Sequence, residues 1–143
     1  MKETGDLRSR LNNVSNEKGL DAFIKDVEDN HKLTLKDYMY QLMIERDISK
    51  ADVSRLSKLD RSYTSQIIEN NPSKKPGRDK MLCIALGLNL SVEETDKLLT
   101  LSGNNPLYPR VKRDSIIAYA LNKNMNVMDT NAELSKHGEK ELK

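Results

Sequence analysis

Asp52-Val53-Ser54-Arg55-Leu56-Ser57-Lys58-Leu59-Asp60-Arg61-Ser62-Tyr63-Thr64-Ser65-Gln66-Ile67-Ile68-Glu69-Asn70 contains two short helical patterns separated by a turn. Ser49 precedes the first pattern as an N-cap, with Val53 and Leu56 on its inward face. Asp60 is placed to cap the second, its carboxylate within reach of the free N–H groups of the first turn. Asn70-Asn71-Pro72 supplies a stop, because Asn tolerates left-handed backbone and Pro cannot continue a helix. Ile67 and Thr64 point inward on this second helix, while Arg61, Ser62, Ser65 and Gln66 point out. Two helices joined by a turn of about three residues make a helix-turn-helix unit.

The chain around this unit is helical as well. Leu35, Tyr38, Met39, Leu42 and Met43 recur at helical spacing from a Thr34 cap to about Arg46. After the exposed loop Asn71-Pro72-Ser73-Lys74-Lys75-Pro76-Gly77, an apolar helix starts at Arg78-Asp79 and stops at Gly87. Ser91 caps another, which carries Val92, Leu98, Leu99 and Leu101 inward and terminates at Gly103. The glycines Gly77, Gly87 and Gly103 read as turn or cap residues, not as a phosphate loop.

Residues 78–103 then repeat. With an offset of 35, they align without gaps to residues 113–138, with nine identities in 26 positions, including Arg78-Asp79 with Arg113-Asp114, Asn89 with Asn124 and Gly103 with Gly138. Such a duplicated helix-loop-helix unit gains by stacking on its neighbour. Arg113 repeats Arg78, which points to a structural Arg-Asp feature at a helix start. Residues 139–143 read as a disordered charged tail. At the other end, Leu7, Leu11 and Val14, then Leu20, Phe23, Ile24 and Val27, predict two short helices within residues 1–32.

Asp52 to Asn70 resembles, without gaps, the helix-turn-helix of the phage-repressor (Cro-type, XRE) family of DNA-binding domains. Ser54 stands at the small position of the first helix and Leu59 at the apolar anchor after the turn. Lys58 replaces the frequent glycine, which costs about 1 kcal/mol if its backbone is left-handed. Thr64 replaces an aliphatic residue, so looser packing under the second helix is expected. The resemblance implies an all-α, lambda-repressor-like core over residues 34–103, with an N-terminal extension at 1–33 and the repeated helix pair at 104–143. It also implies residue roles. Lys50, Lys74 and Lys75 would contact phosphates; Arg61 and Ser62 would approach base edges or phosphate; Ser65 and Gln66 would read deeper in the major groove; Tyr63 would pack over sugar-phosphate or stay at the surface.

Charge agrees in place more than in amount. The net charge is +2, but residues 48–80 hold eight Lys/Arg against four Asp/Glu, whereas residues 1–33 hold six against seven. Aromatic residues are 4% of the chain, with no Trp, so the core is aliphatic and suits helices. The single cysteine, Cys83, sits in an apolar run and reads as a buried thiol in a reducing compartment. No apolar run approaches ~18 residues and Met1–Asp6 has no signal-peptide pattern, which predicts a cytoplasmic protein that does not enter a membrane. His31 and His137 have no ligand-spaced partners, and Glu93-Glu94 falls in a first turn where it favours the helix dipole. No enzyme activity, metal or cofactor is therefore expected.

The expected function is sequence-specific binding of double-stranded DNA, as a transcriptional regulator of bacterial or phage type acting as a homodimer. The alternative is a protein-interaction module, antitoxin-like or adaptor, with weak or no DNA binding, that engages a partner through its N-terminal or C-terminal helices.

Overall fold

The computed structural model describes residues 33–69 and 75–143, together with Asp21 and Ile24. The chain divides into two units, Met1–Thr34 and Leu35–Lys143. In the first, Asp21 and Ile24 are helical; the rest of the predicted N-terminal helix pair, with His31, lies outside the described residues, as does Asn70–Lys74. The second unit is all-α among the described residues: α1 (Leu35–Arg46), α2 (Lys50–Ser57), α3 (Arg61–Ile68), α4 (Arg78–Gly87), α5 (Val92–Leu101), α6 (Lys112–Asn122) and α7 (Val127–Lys136).

One turn chemistry joins these helices in pairs. Asp47, Lys58, Asn89 and Asn124 each end a helix in left-handed backbone, with φ of 52°, 58°, 56° and 55°. The next residue, Ile48, Leu59, Leu90 or Met125, donates its N–H back to Met43, Ser54, Ala85 or Ala120, at 2.9–3.2 Å. The following residue then caps the new helix: Ser49, Asp60, Ser91 or Asn126 accepts the backbone N–H three positions on. Lys58 is thus left-handed as its strained position required, and it follows the rule of this chain, which uses a non-glycine residue at all four turns.

Thr64 does not loosen the packing. It is fully buried and its Oγ1 donates to the Asp60 carbonyl at 3.0 Å, which removes the cost of an unpaired hydroxyl in a core. Thr95 and Thr130 make the same bond at the same position of α5 and α7, at 2.8 and 2.7 Å.

Helices α1–α5 enclose a core centred on Met39, Leu42, Ile67, Ile68, Met81, Leu82, Ile84, Leu86, Leu98 and Leu99, all under 2% exposed. Gly87 is not a cap. It lies inside α4, where a Cβ would meet the α2 backbone at Leu56 and Ser57 at 2.8–2.9 Å, so the two helices touch backbone to backbone. Arg46 ties α1 to the α4–α5 turn, donating to the Leu88 carbonyl at 2.9 Å and pairing with Glu94 at 3.4 Å.

The repeated units do not stack as an open array; they close on each other. Arg78 forms a two-pronged pair with Asp114 at 2.9 and 2.8 Å, and Arg113 pairs with Asp79 at 2.9 and 2.9 Å. Each arginine also holds the strap that follows its own unit. Arg78 donates to the carbonyls of Asn105 and Pro106, and Arg113 to those of Lys140 and Glu141. Each strap in turn donates to the aspartate of the other unit, Tyr108 N–H to Asp114 at 3.0 Å and Lys143 N–H to Asp79 at 3.4 Å. Leu107 and Leu142 are both buried, their N–H groups bound to Asp96 and Asn131. Every one of these correspondences keeps the offset of 35. Residues 139–143 are accordingly not a disordered tail; they are the second copy of the strap.

Candidate nucleic-acid interface

Helix α3 is held from beneath and left free above. Thr64, Ile67 and Ile68 are buried, Asp60 accepts the Tyr63 N–H at 3.1 Å, and the Ser54 Oγ donates to the Leu59 carbonyl at 2.7 Å. Ser54, 8% exposed, is the small contact residue where α2 accepts the turn. Above, Arg61, Ser62 and Gln66 are exposed and their side chains have no partner among the described residues, while Ser65 is half-buried. Ile68 joins the core as well, on a helix that packs against both α1 and α2.

The remaining expected contact residues divide. Lys50 pairs with Glu69, the cap at the far end of α3. Glu69 also accepts the Tyr40 hydroxyl at 3.0 Å and lies 3.9 Å from Lys36, so one carboxylate faces two ammonium groups. Tyr63 is half-buried against the core, and its hydroxyl accepts the Gly77 N–H at 3.3 Å, bracing the start of α4 against α3. Lys75 donates to the Gly103 carbonyl at 3.0 Å, a cation on the last turn region of α5. Lys74 lies outside the described residues. The geometry therefore sets Arg61, Ser62, Ser65 and Gln66 on one helix, and gives Lys50, Tyr63 and Lys75 internal partners.

One residue that belongs to the positive excess of residues 48–80 but carries no expected contact role joins the exposed set. Lys58 is exposed at the turn before α3 and has no partner among the described residues. Its signal was its position three residues before Arg61, which puts a second free cation at the entrance to the helix.

Because the same turn builds three further helix pairs, backbone geometry alone does not single out α3. Charge does. Helices α2, α5 and α7, which follow equivalent turns, carry carboxylates in their first turns: Asp52, Glu93 with Glu94, and Asp129. The first turn of α3 has none and begins with Arg61. A phosphate approaching α5 or α7 would meet acids within the first turn; at α3 the carboxylate at the helix start is the Asp60 cap, already bound to the Tyr63 N–H, and Arg61 and the exposed Lys58 stand on either side of it.

Cys83 is buried, and burial pushes its thiol up to about 11, so it is protonated at neutral pH. His137 is exposed and its Nδ1 lies 2.9 Å from the Glu133 carbonyl. Among the described residues no group of three His, Cys, Asp or Glu is arranged to hold a metal ion, and no helix is long and apolar enough to cross a membrane. Comparison of the chain with protein-family models, with curated proteins and with solved structures gives no match.

Proposed function

We propose that the chain binds double-stranded DNA through α3, laid in the major groove, as a sequence-specific transcriptional regulator of bacterial or phage type. The observation that carries this reading is the free outer face of α3, Arg61, Ser62 and Gln66, with the exposed Lys58 beside it, on a helix whose first turn carries no carboxylate beyond the Asp60 cap that is bound to the Tyr63 N–H. Arg61 suits a guanine O6/N7 pair and Gln66 an adenine N6/N7 pair, while Lys58 supplies charge for the backbone. A salt titration with duplexes selected from a random pool tests it. Affinity should fall steeply and log-linearly with salt, as phosphate contacts release counterions. An affinity that is absent, or indifferent to salt, overturns the reading.

A second reading, a protein-interaction module, has one observation in its favour. Tyr119 and Met128 are 52% and 67% exposed, and Tyr119 with Ile116 lines an open hollow of about 410 Å³ edged by Glu133, Lys136 and His137. Under that reading, substitution of Tyr119 abolishes binding to a partner protein, and the unsubstituted chain binds duplex DNA weakly or not at all.

A further inference from the structure

The contact between the two repeated units has the form of a two-fold dimer interface made within one chain. A contact in which Arg78 meets Asp114 while Arg113 meets Asp79 is reciprocal, as between identical subunits. An open array would instead have left Arg113 facing a further copy beyond the C-terminus. The reciprocity extends to packing, since α4 touches both α6 and α7, and α6 touches both α4 and α5. The inward residues match in bulk across the offset: Leu82 with Ile117, Ala85 with Ala120, Leu86 with Leu121, Leu107 with Leu142, all under 9% exposed.

Each unit therefore carries, on its own face, both halves of the recognition it uses. Arg78 and Asp79 on one chain would meet Asp79 and Arg78 on another as well as they meet Asp114 and Arg113 here. We infer that the face formed by Arg78, Asp79 and the Leu107 strap is an interaction surface for a second copy of this chain, held closed in the monomer by residues 112–143. The connector decides which partner wins. Only Pro109, Arg110 and Val111 separate the Tyr108 strap from α6, and a tether that short gives the internal unit an effective concentration on the order of millimolar. The inference stands on this geometry and not on the DNA reading. If both hold, opening the pair would relate two α3 helices by an exact two-fold axis.

Sedimentation equilibrium of the full chain and two charge-reversed variants tests it. Arg113→Asp with Asp114→Arg puts like charges opposite Arg78 and Asp79, so each unit finds opposite charges only on the same unit of a second copy. The expected result is a helical protein of at least twice the wild-type mass at the same concentration. Adding Arg78→Asp and Asp79→Arg restores opposite charges within the chain, and the mass should return to that of the wild type. A double variant that keeps the wild-type mass, or loses its helical circular dichroism, overturns the inference. So does an assembly that persists in the fourfold variant, because association would then come from exposed core and not from matched charges.

Discussion

Gly87 faces the Leu56 carbonyl so closely that a Cβ on it would lie 2.8 Å from both the carbon and the oxygen. No side-chain rotation relieves that contact, because both partners are backbone and α2 is fixed by its own turns. Gly87→Ala should therefore destabilise the fold by about 3 kcal/mol, the upper range for overpacking, although alanine is the better helix former. Urea unfolding followed by circular dichroism measures it. A loss under about 1 kcal/mol would mean that α2 can move away from α4 at little cost.

The free face of α3 predicts a split between two kinds of substitution. Arg61→Ala and Gln66→Ala should each cost about 1–3 kcal/mol on the selected duplex and relax base preference at one position. Lys58→Ala should weaken all duplexes alike and reduce the salt slope by about 1. Competition binding against single-base variants of the duplex separates the two patterns.

Ser57 is fully buried at the end of α2, and among the described residues its Oγ has no hydrogen-bond partner. Removing an unpaired buried hydroxyl relieves its desolvation penalty, so Ser57→Ala should stabilise the protein by about 1 kcal/mol. The urea midpoint should rise with the slope unchanged.

Acid should unlock both the repeat pair and the α1–α5 contact. Burial raises the Asp79 carboxyl, but the Arg113 hydrogen bonds and charge, with the Lys143 N–H, outweigh it and hold the group below its ordinary value. Burial likewise raises Glu94, and the Ser91 N–H with Arg46 lowers it further than that. A carboxyl whose folded pKa is depressed binds its proton more readily in the unfolded chain. Its stabilisation is complete above the unfolded value, near about 4, and is lost as pH falls through the lower folded value. Urea midpoints should therefore decline below about pH 4, and Asp79→Asn should flatten that decline while lowering stability at neutral pH.

Cys83 offers a probe of opening. It is 3% exposed and its thiol is held protonated by burial, so alkylation at pH 8 should proceed only through transient unfolding. Labelling in native buffer at the rate found in denaturant would show that the α4 core is open to reagent.

Much of this architecture was legible from residue spacing, because its causes are local. A helix needs an apolar stripe and a cap, and Ser49, Asp60 and Ser91 announce their caps within three residues. Of the outward set Arg61, Ser62, Ser65 and Gln66, three are exposed and Ser65 is half-buried, since α3 has one buried side and Ser65 lies at its border. The offset of 35 between residues 78–103 and 113–138 was equally visible as identity. What the spacing did not contain was how distant elements meet. Gly87 read as a helix stop, yet its purpose is the α2 backbone some thirty residues earlier. Nor did the spacing contain the internal partners of the expected contact residues: Glu69 for Lys50, Gly77 for Tyr63 and Gly103 for Lys75. Residues 139–143 read as a tail because their composition is charged; only the partners of Arg113 and Asn131 give them a place. The repeat itself announced two similar units, and whether they stack in line or close on each other depends on which aspartate each arginine reaches. That choice is made by the path of the three-residue connector in space, so tertiary structure alone decided that Arg78 meets Asp114 and Arg113 meets Asp79.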